Sequence, residues 1–92
     1  MRRFLIEREI PGAGSMEREQ LRGAAEKSNG VLKMLGPDIQ WVQSYVSGDK
    51  IFCIYLAKDE AIIHEHAKQS GFPANKVTEI RKVIDPTTAQ AA

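Results

Sequence analysis

Ninety-two residues and 10.3 kDa point to one small domain, with no room for a second core or a separate regulatory module. Hydrophobic residues at 42% and charged residues at 27% exclude a disordered or low-complexity chain. Thirteen Lys and Arg against twelve Asp and Glu, split evenly about Val46, leave neither half basic enough to track nucleic acid or an anionic membrane.

Arg3 to Ile10 is a short apolar stretch shading into alternation, bounded by Pro11-Gly12-Ala13-Gly14, which reads as a strand followed by a loop. Ser15 is the expected N-cap of a helix, with Glu17 and Glu19 near its positive end. Leu21, Ala24, Ala25, Ser28, Leu32 and Leu35 then recur at three- and four-residue spacing, one helical stripe that Gly36-Pro37 ends. Ile39–Val46 and Lys50–Ala57 are rich in β-branched and aromatic residues and flank Ser47-Gly48-Asp49, the pattern of a β-hairpin. Asp59 caps a second helix in which Ile63, His66, Ala67 and Ser70 share a face, and Gly71 with Pro73 ends it. Lys76 to Ile84 reads as a last strand, and residues 85–92 as a mobile small-residue tail.

The order is strand, helix, strand, strand, helix, strand. Right-handed crossovers put both helices on one face of a four-stranded antiparallel sheet, a ferredoxin-like α+β sandwich spanning residues 1–92. The other face is then left bare. A three-residue hairpin loop, with Phe52, Ile54 and Leu56 toward the helices, places Ile51, Cys53 and Tyr55 on that open side beside Trp41, Gln43 and Tyr45. Glu7 joins them from the first strand. Such a face is too apolar to stay wet, which predicts a homodimer through the open sheet face enclosing a small cleft. A domain that buries only about 60–65% of its unfolded surface gains from such a partner.

Few residues can carry chemistry. His64 and His66 lie two apart on a helix, roughly 200° around its axis, so one metal cannot easily be gripped by both. His66 shares the buried stripe, where it is either a hydrogen-bonded structural imidazole or a group with a metal-ligand or acid/base role. Cys53 has no second cysteine and no neighbour that would make a thiolate, so it reads as a small buried hydrophobe. Trp41, Tyr45 and Tyr55 are either interface packing or the walls of a ligand pocket floored by Cys53. Glu7 is either solvated or a pocket acid/base with a raised pKa. There is no phosphate loop, dinucleotide fingerprint, haem motif or Ser/His/Asp arrangement. No apolar run reaches the ~18 residues of a membrane span, no secretory leader is visible, and the lone cysteine suits a reducing cytoplasm.

Several runs together carry a resemblance over nearly the whole chain. They are Phe4-Leu5-Ile6-Glu7-Arg8 with Pro11-Gly12, Gln40 to Val46, Asp49 to Cys53, Glu65-His66-Ala67 with Gly71-Phe72-Pro73-Ala74, and Val83 to Thr88. The chain resembles a family of small bacterial proteins of unknown function that includes a nickel-responsive, nickel-binding member. The resemblance implies a ferredoxin-like fold, a homodimer and binding of nickel or another divalent metal. It carries over Cys53 and His66 as matching positions, whereas His64 lies outside the pattern and would be a ligand particular to this chain.

Three readings follow. The first is a cytoplasmic homodimeric binding protein that takes a divalent metal, with His66 as the leading ligand and His64 behind it. The second is a small cofactor-free oxygenase or isomerase, with Glu7 as acid/base in an open-face pocket walled by Trp41, Tyr45 and Tyr55. The third is an accessory or stress protein whose aromatic face serves assembly alone.

Overall fold

Phe4, Ile6 and Arg8 are buried while Leu5 and Glu7 between them are half-exposed, so the alternation of the first strand sets the two faces of the sheet. The computed structural model describes residues 1–90. Its elements run β1 (Arg2–Glu9), α1 (Arg18–Leu35), β2 (Ile39–Val46), β3 (Lys50–Ala57), α2 (Glu60–Ser70) and β4 (Lys76–Ile80), with short 3-10 turns at Ala13–Ser15 and Pro86–Ala89. The four strands form one antiparallel sheet in the order β2-β3-β1-β4. With two crossover helices, this is the expected ferredoxin-like arrangement.

The helices form where their patterns place them. Asp59 Oδ1 accepts from the Ile62 N–H at 3.0 Å and so caps α2. Ile63, His66, Ala67 and Ser70 are its buried face, and Gly71, at a φ of 77°, takes the left-handed turn that ends it. Helix α1 starts later than Ser15. Its N-cap is Glu17, in a capping box with Gln20, because Ala13–Ser15 is held in a 3-10 turn against the hairpin. The Gly14 N–H donates to the Gly48 carbonyl at 2.9 Å and the Ile10 N–H to the Asp49 carbonyl at 2.9 Å.

The last strand is shorter than its apolar pattern. Arg3 pairs with Ile80 near the beginning of β1, so the chain beyond finds no strand to continue the ladder, and Val83 and Ile84 stand exposed. Asp85 then caps the Pro86–Ala89 turn. Of the expected tail 85–92, the last two residues lie outside the described ones.

The hairpin register differs from expectation, and this changes the faces. Tyr55, Cys53 and Ile51 pair with Phe4, Ile6 and Arg8 and therefore point toward the helices; Phe52, Ile54 and Leu56 pair with Glu7, Leu5 and Arg3 and occupy the open face. Val46 pairs with Ile51 and the Ser47 N–H donates to the Lys50 carbonyl, so the turn is Gly48-Asp49 rather than a three-residue loop. A bulge between Trp41 and Gln43 absorbs the offset. Trp41, opposite Tyr55, consequently lies on the helix side, while Tyr45, opposite Phe52, lies on the open side. The core gathers Phe4, Ile6, Ile39, Cys53, Tyr55, Ala57 and Ile63.

The contact at Gly14 gives a paired stability prediction. A Cβ there would meet the Ser47 carbonyl oxygen at 2.7 Å, whereas one on Gly30, exposed within α1, meets nothing. In urea unfolding, Gly14→Ala should lose about 1–3 kcal/mol, and Gly30→Ala should gain about 0.5–1 kcal/mol.

Candidate functional site

One hydroxyl ties three elements together inside the protein. Ser28 falls on the apolar stripe of α1 and is buried there. Its Oγ lies 3.1 Å from His66 Nε2 on α2 and 3.4 Å from the Tyr55 hydroxyl on β3. The Tyr55 and His66 rings pack at 5.3 Å between centroids, tilted by 54°. Burial depresses the His66 pKa below its usual range and the nearby Arg8 guanidinium depresses it further, against an opposing contribution from Ser28. Burial also raises the Tyr55 pKa, so both rings are neutral at neutral pH.

Arg8 is the second centre. It occupies the inward position after Phe4 and Ile6 and is only 3% exposed. Its Nε donates to Cys53 Sγ at 3.4 Å, and Nη1 to the Phe72 and Pro73 carbonyls at 3.4 and 3.0 Å. The guanidinium also stacks near the Tyr55 and Phe72 rings, 6.0 and 5.9 Å from their centroids. Every fully enclosed polar side-chain atom among the described residues has a partner.

Beside these groups, between α1 and the sheet, lies a cavity of about 530 Å³. Trp41, Cys53 and Tyr55, three of the four expected pocket residues, line it together with Arg8, Ser28 and Phe72. The fourth, Tyr45, is 55% exposed on the opposite face, where its hydroxyl accepts from Gln43 Nε2. Glu7 also lies on that face, 3.7 Å from Lys50 Nζ. The sheet thus separates Glu7 from the aromatic walls, and the acid/base pocket expected on the open face does not form. Cys53 and His66, expected on opposite sides of the sheet, share the helix side. Sequence reasoning missed Arg8, although its place in the Phe4, Ile6, Arg8 alternation was a readable signal.

The metal-ligand candidates separate in the same way. Among the described residues no three His, Cys, Asp or Glu side chains converge. His66 is 1% exposed, with Nε2 engaged by Ser28 and a fixed cation nearby, an environment hostile to a divalent ion. His64 is exposed, and its Nε2 lies 3.1 Å from Glu60 Oε2, one turn back on α2.

A family model described as "Nickel responsive protein SCO4226-like" matches residues 4–80. No curated protein matches the sequence. Among solved structures, that described as "Crystal structure analysis of SCO4226 from Streptomyces coelicolor A3(2)" superposes with a TM-score of 0.75 at 15% identity. The match covers 89% of this chain and 99% of that one, a similarity of fold.

The buried imidazole makes stability depend on pH. The unfolded chain takes up the His66 proton near pH 6.5, whereas the folded chain resists it to lower pH. The contribution is therefore complete above about pH 6.5 and is lost as pH falls toward the depressed folded value. The urea midpoint should drop between about pH 7.5 and about pH 5.5, and His66→Gln should flatten that slope.

Proposed function

Since the chain belongs to the nickel-responsive SCO4226-like family, we propose that it is a cytoplasmic homodimeric binding protein that takes nickel or a similar divalent ion at His64 and Glu60 on the exposed face of α2. The observation that supports this reading is the 3.1 Å approach of the two side chains across one helical turn. An imidazole nitrogen and a carboxylate oxygen at i and i+4 share a face, the spacing that lets one helix offer two donors to one ion. Imidazole suits nickel, and the exposed position leaves room for water to fill the remaining coordination sites. The interior does not fit the ion: His66 and Cys53 are buried, and Arg8 donates to the Cys53 sulfur. Buried free Cys53 accords with a reducing compartment, and no helix among the described residues is long and apolar enough to cross a membrane.

The open sheet face supports the homodimer with a corrected set of residues. Leu5, Tyr45, Phe52, Ile54 and Leu56 share it, on the side away from α1 and α2 among the described residues. Fully burying one such side chain contributes roughly 1.5–3 kcal/mol, so two self-complementary patches can offset an association cost of roughly 4–15 kcal/mol. Cys53, buried on the helix side, has no part in that interface.

Two measurements test these statements separately. Calorimetric titration of tag-free protein with nickel should give saturable heat that His64→Ala abolishes and His66→Ala leaves in place; absence of heat, or its survival in His64→Ala, overturns the metal assignment. Light scattering at micromolar concentration should give twice 10.3 kDa, falling to 10.3 kDa in Ile54→Asp; a monomeric wild type overturns the sheet-face dimer.

A further inference from the structure

Arg8 carries a full positive charge into the protein with no carboxylate to meet it. Among the described residues no acidic oxygen lies within 4 Å of its guanidinium; the ion pairs among those residues are Arg2–Glu79, Arg22 with Glu19 and Glu26, Lys50–Glu7, Lys58–Asp38 and His64–Glu60. The sulfur and the two carbonyls that receive its hydrogen bonds, and the rings beside it, offer only partial charge. A buried charge without a counter-ion is costly, and a ligand that brings the opposite charge offsets that cost.

The third nitrogen of the fork points to the place. Nε and Nη1 have partners, whereas Nη2 has none among the described residues. No fully enclosed side-chain nitrogen lacks a partner, so Nη2 is not sealed in, and Arg8 lines the cavity under α1 beside the Tyr55 hydroxyl. The rest of the lining is apolar in character and includes Leu21, Ala24, Trp41, Ile51 and Phe72. Lys27 Nζ, 5.7 Å from the Phe72 ring centroid, adds a second cation beside that ring. The volume of about 530 Å³ falls within the usual range for small-molecule sites.

We infer that this cavity is a binding site for an organic monocarboxylate with an apolar body, its carboxylate accepting from Arg8 Nη2 and its body packed against Trp41, Ile51 and Phe72. An inorganic anion would leave the apolar walls unfilled, and a neutral apolar molecule would leave the charge unmet. A divalent cation would be repelled. The site is distinct from His64 and Glu60 on the outer surface of α2 and does not rest on metal binding.

Trp41, the single tryptophan, reports occupancy directly. Decanoate, below its micellar concentration, is titrated against tag-free protein while Trp41 fluorescence is followed, with 1-decanol as the uncharged counterpart. Decanoate should give a saturable change and bind roughly tenfold or more tightly than decanol, the scale of one charge-assisted hydrogen bond. Arg8→Met, of similar length and without charge, should erase that preference while decanol still binds. Ala24→Phe, which narrows the cavity from α1 and leaves the Arg8 charge in place, should abolish the decanoate signal and decides the matter if Arg8→Met fails to fold. No saturable change, equal binding of the two probes to wild type, or a preference that survives in folded Arg8→Met overturns the inference, as does decanoate binding unchanged in Ala24→Phe.

Discussion

The pairing of Phe4, Ile6 and Arg8 with Tyr55, Cys53 and Ile51 joins the two central strands of the sheet, and every later feature inherits its faces from it. A sheet has a period of two, so fixing one inward residue fixes the rest of that strand. Here the inward row ends on a charged residue. The fold accommodates Arg8 by setting the carbonyls of Phe72 and Pro73, just past the end of α2, within reach of its guanidinium. Those carbonyls lie near the negative end of the helix, where a cation is favoured.

From that placement the electrostatics of the interior follow. The guanidinium helps to keep His66 neutral, and a neutral imidazole can share the Ser28 hydroxyl with Tyr55. Ser28 thereby couples α1, β3 and α2 through one oxygen, and removing it would leave two buried polar rings in want of a partner. The same cation makes the interior a poor home for a metal ion, although it contains a histidine and a cysteine. His66 and Cys53 are donors of the right types, set beside a guanidinium of the same sign as a metal ion. His64 and Glu60 lie instead on the exposed face of the same helix.

The two faces of the sheet now have separate characters. The helix side holds aromatic groups, a cation and a cavity; the open side holds Leu5, Phe52, Ile54 and Leu56 with the Glu7–Lys50 pair among them. A single hairpin bulge, between Trp41 and Gln43, sends Trp41 to the first and Tyr45 to the second. Without it, residues four apart on one strand would share a face, as the alternation rule requires.

The sequence by itself determined the order of elements, both helix faces and the α2 cap, because each of these rests on local physics. Helical spacing places Ile63, His66, Ala67 and Ser70 together whatever surrounds them, and Asp59 reaches its N–H group within one turn. The end of α1 at Gly36 was legible for the same reason. The start of α1 was not, since Ser15 was available as a cap and only the hairpin's grip on Gly14 removed it. Nor was the end of β4, which depends on where β1 runs out rather than on the apolar Val83 and Ile84. The hairpin faces were undetermined because Lys50–Ala57 is apolar on both sides, so its alternation carries no preference. Packing against β1 and Ser28 decided them: the Tyr55 hydroxyl finds a partner under the helices, and Ile51, Cys53 and Ala57 follow it there by period two.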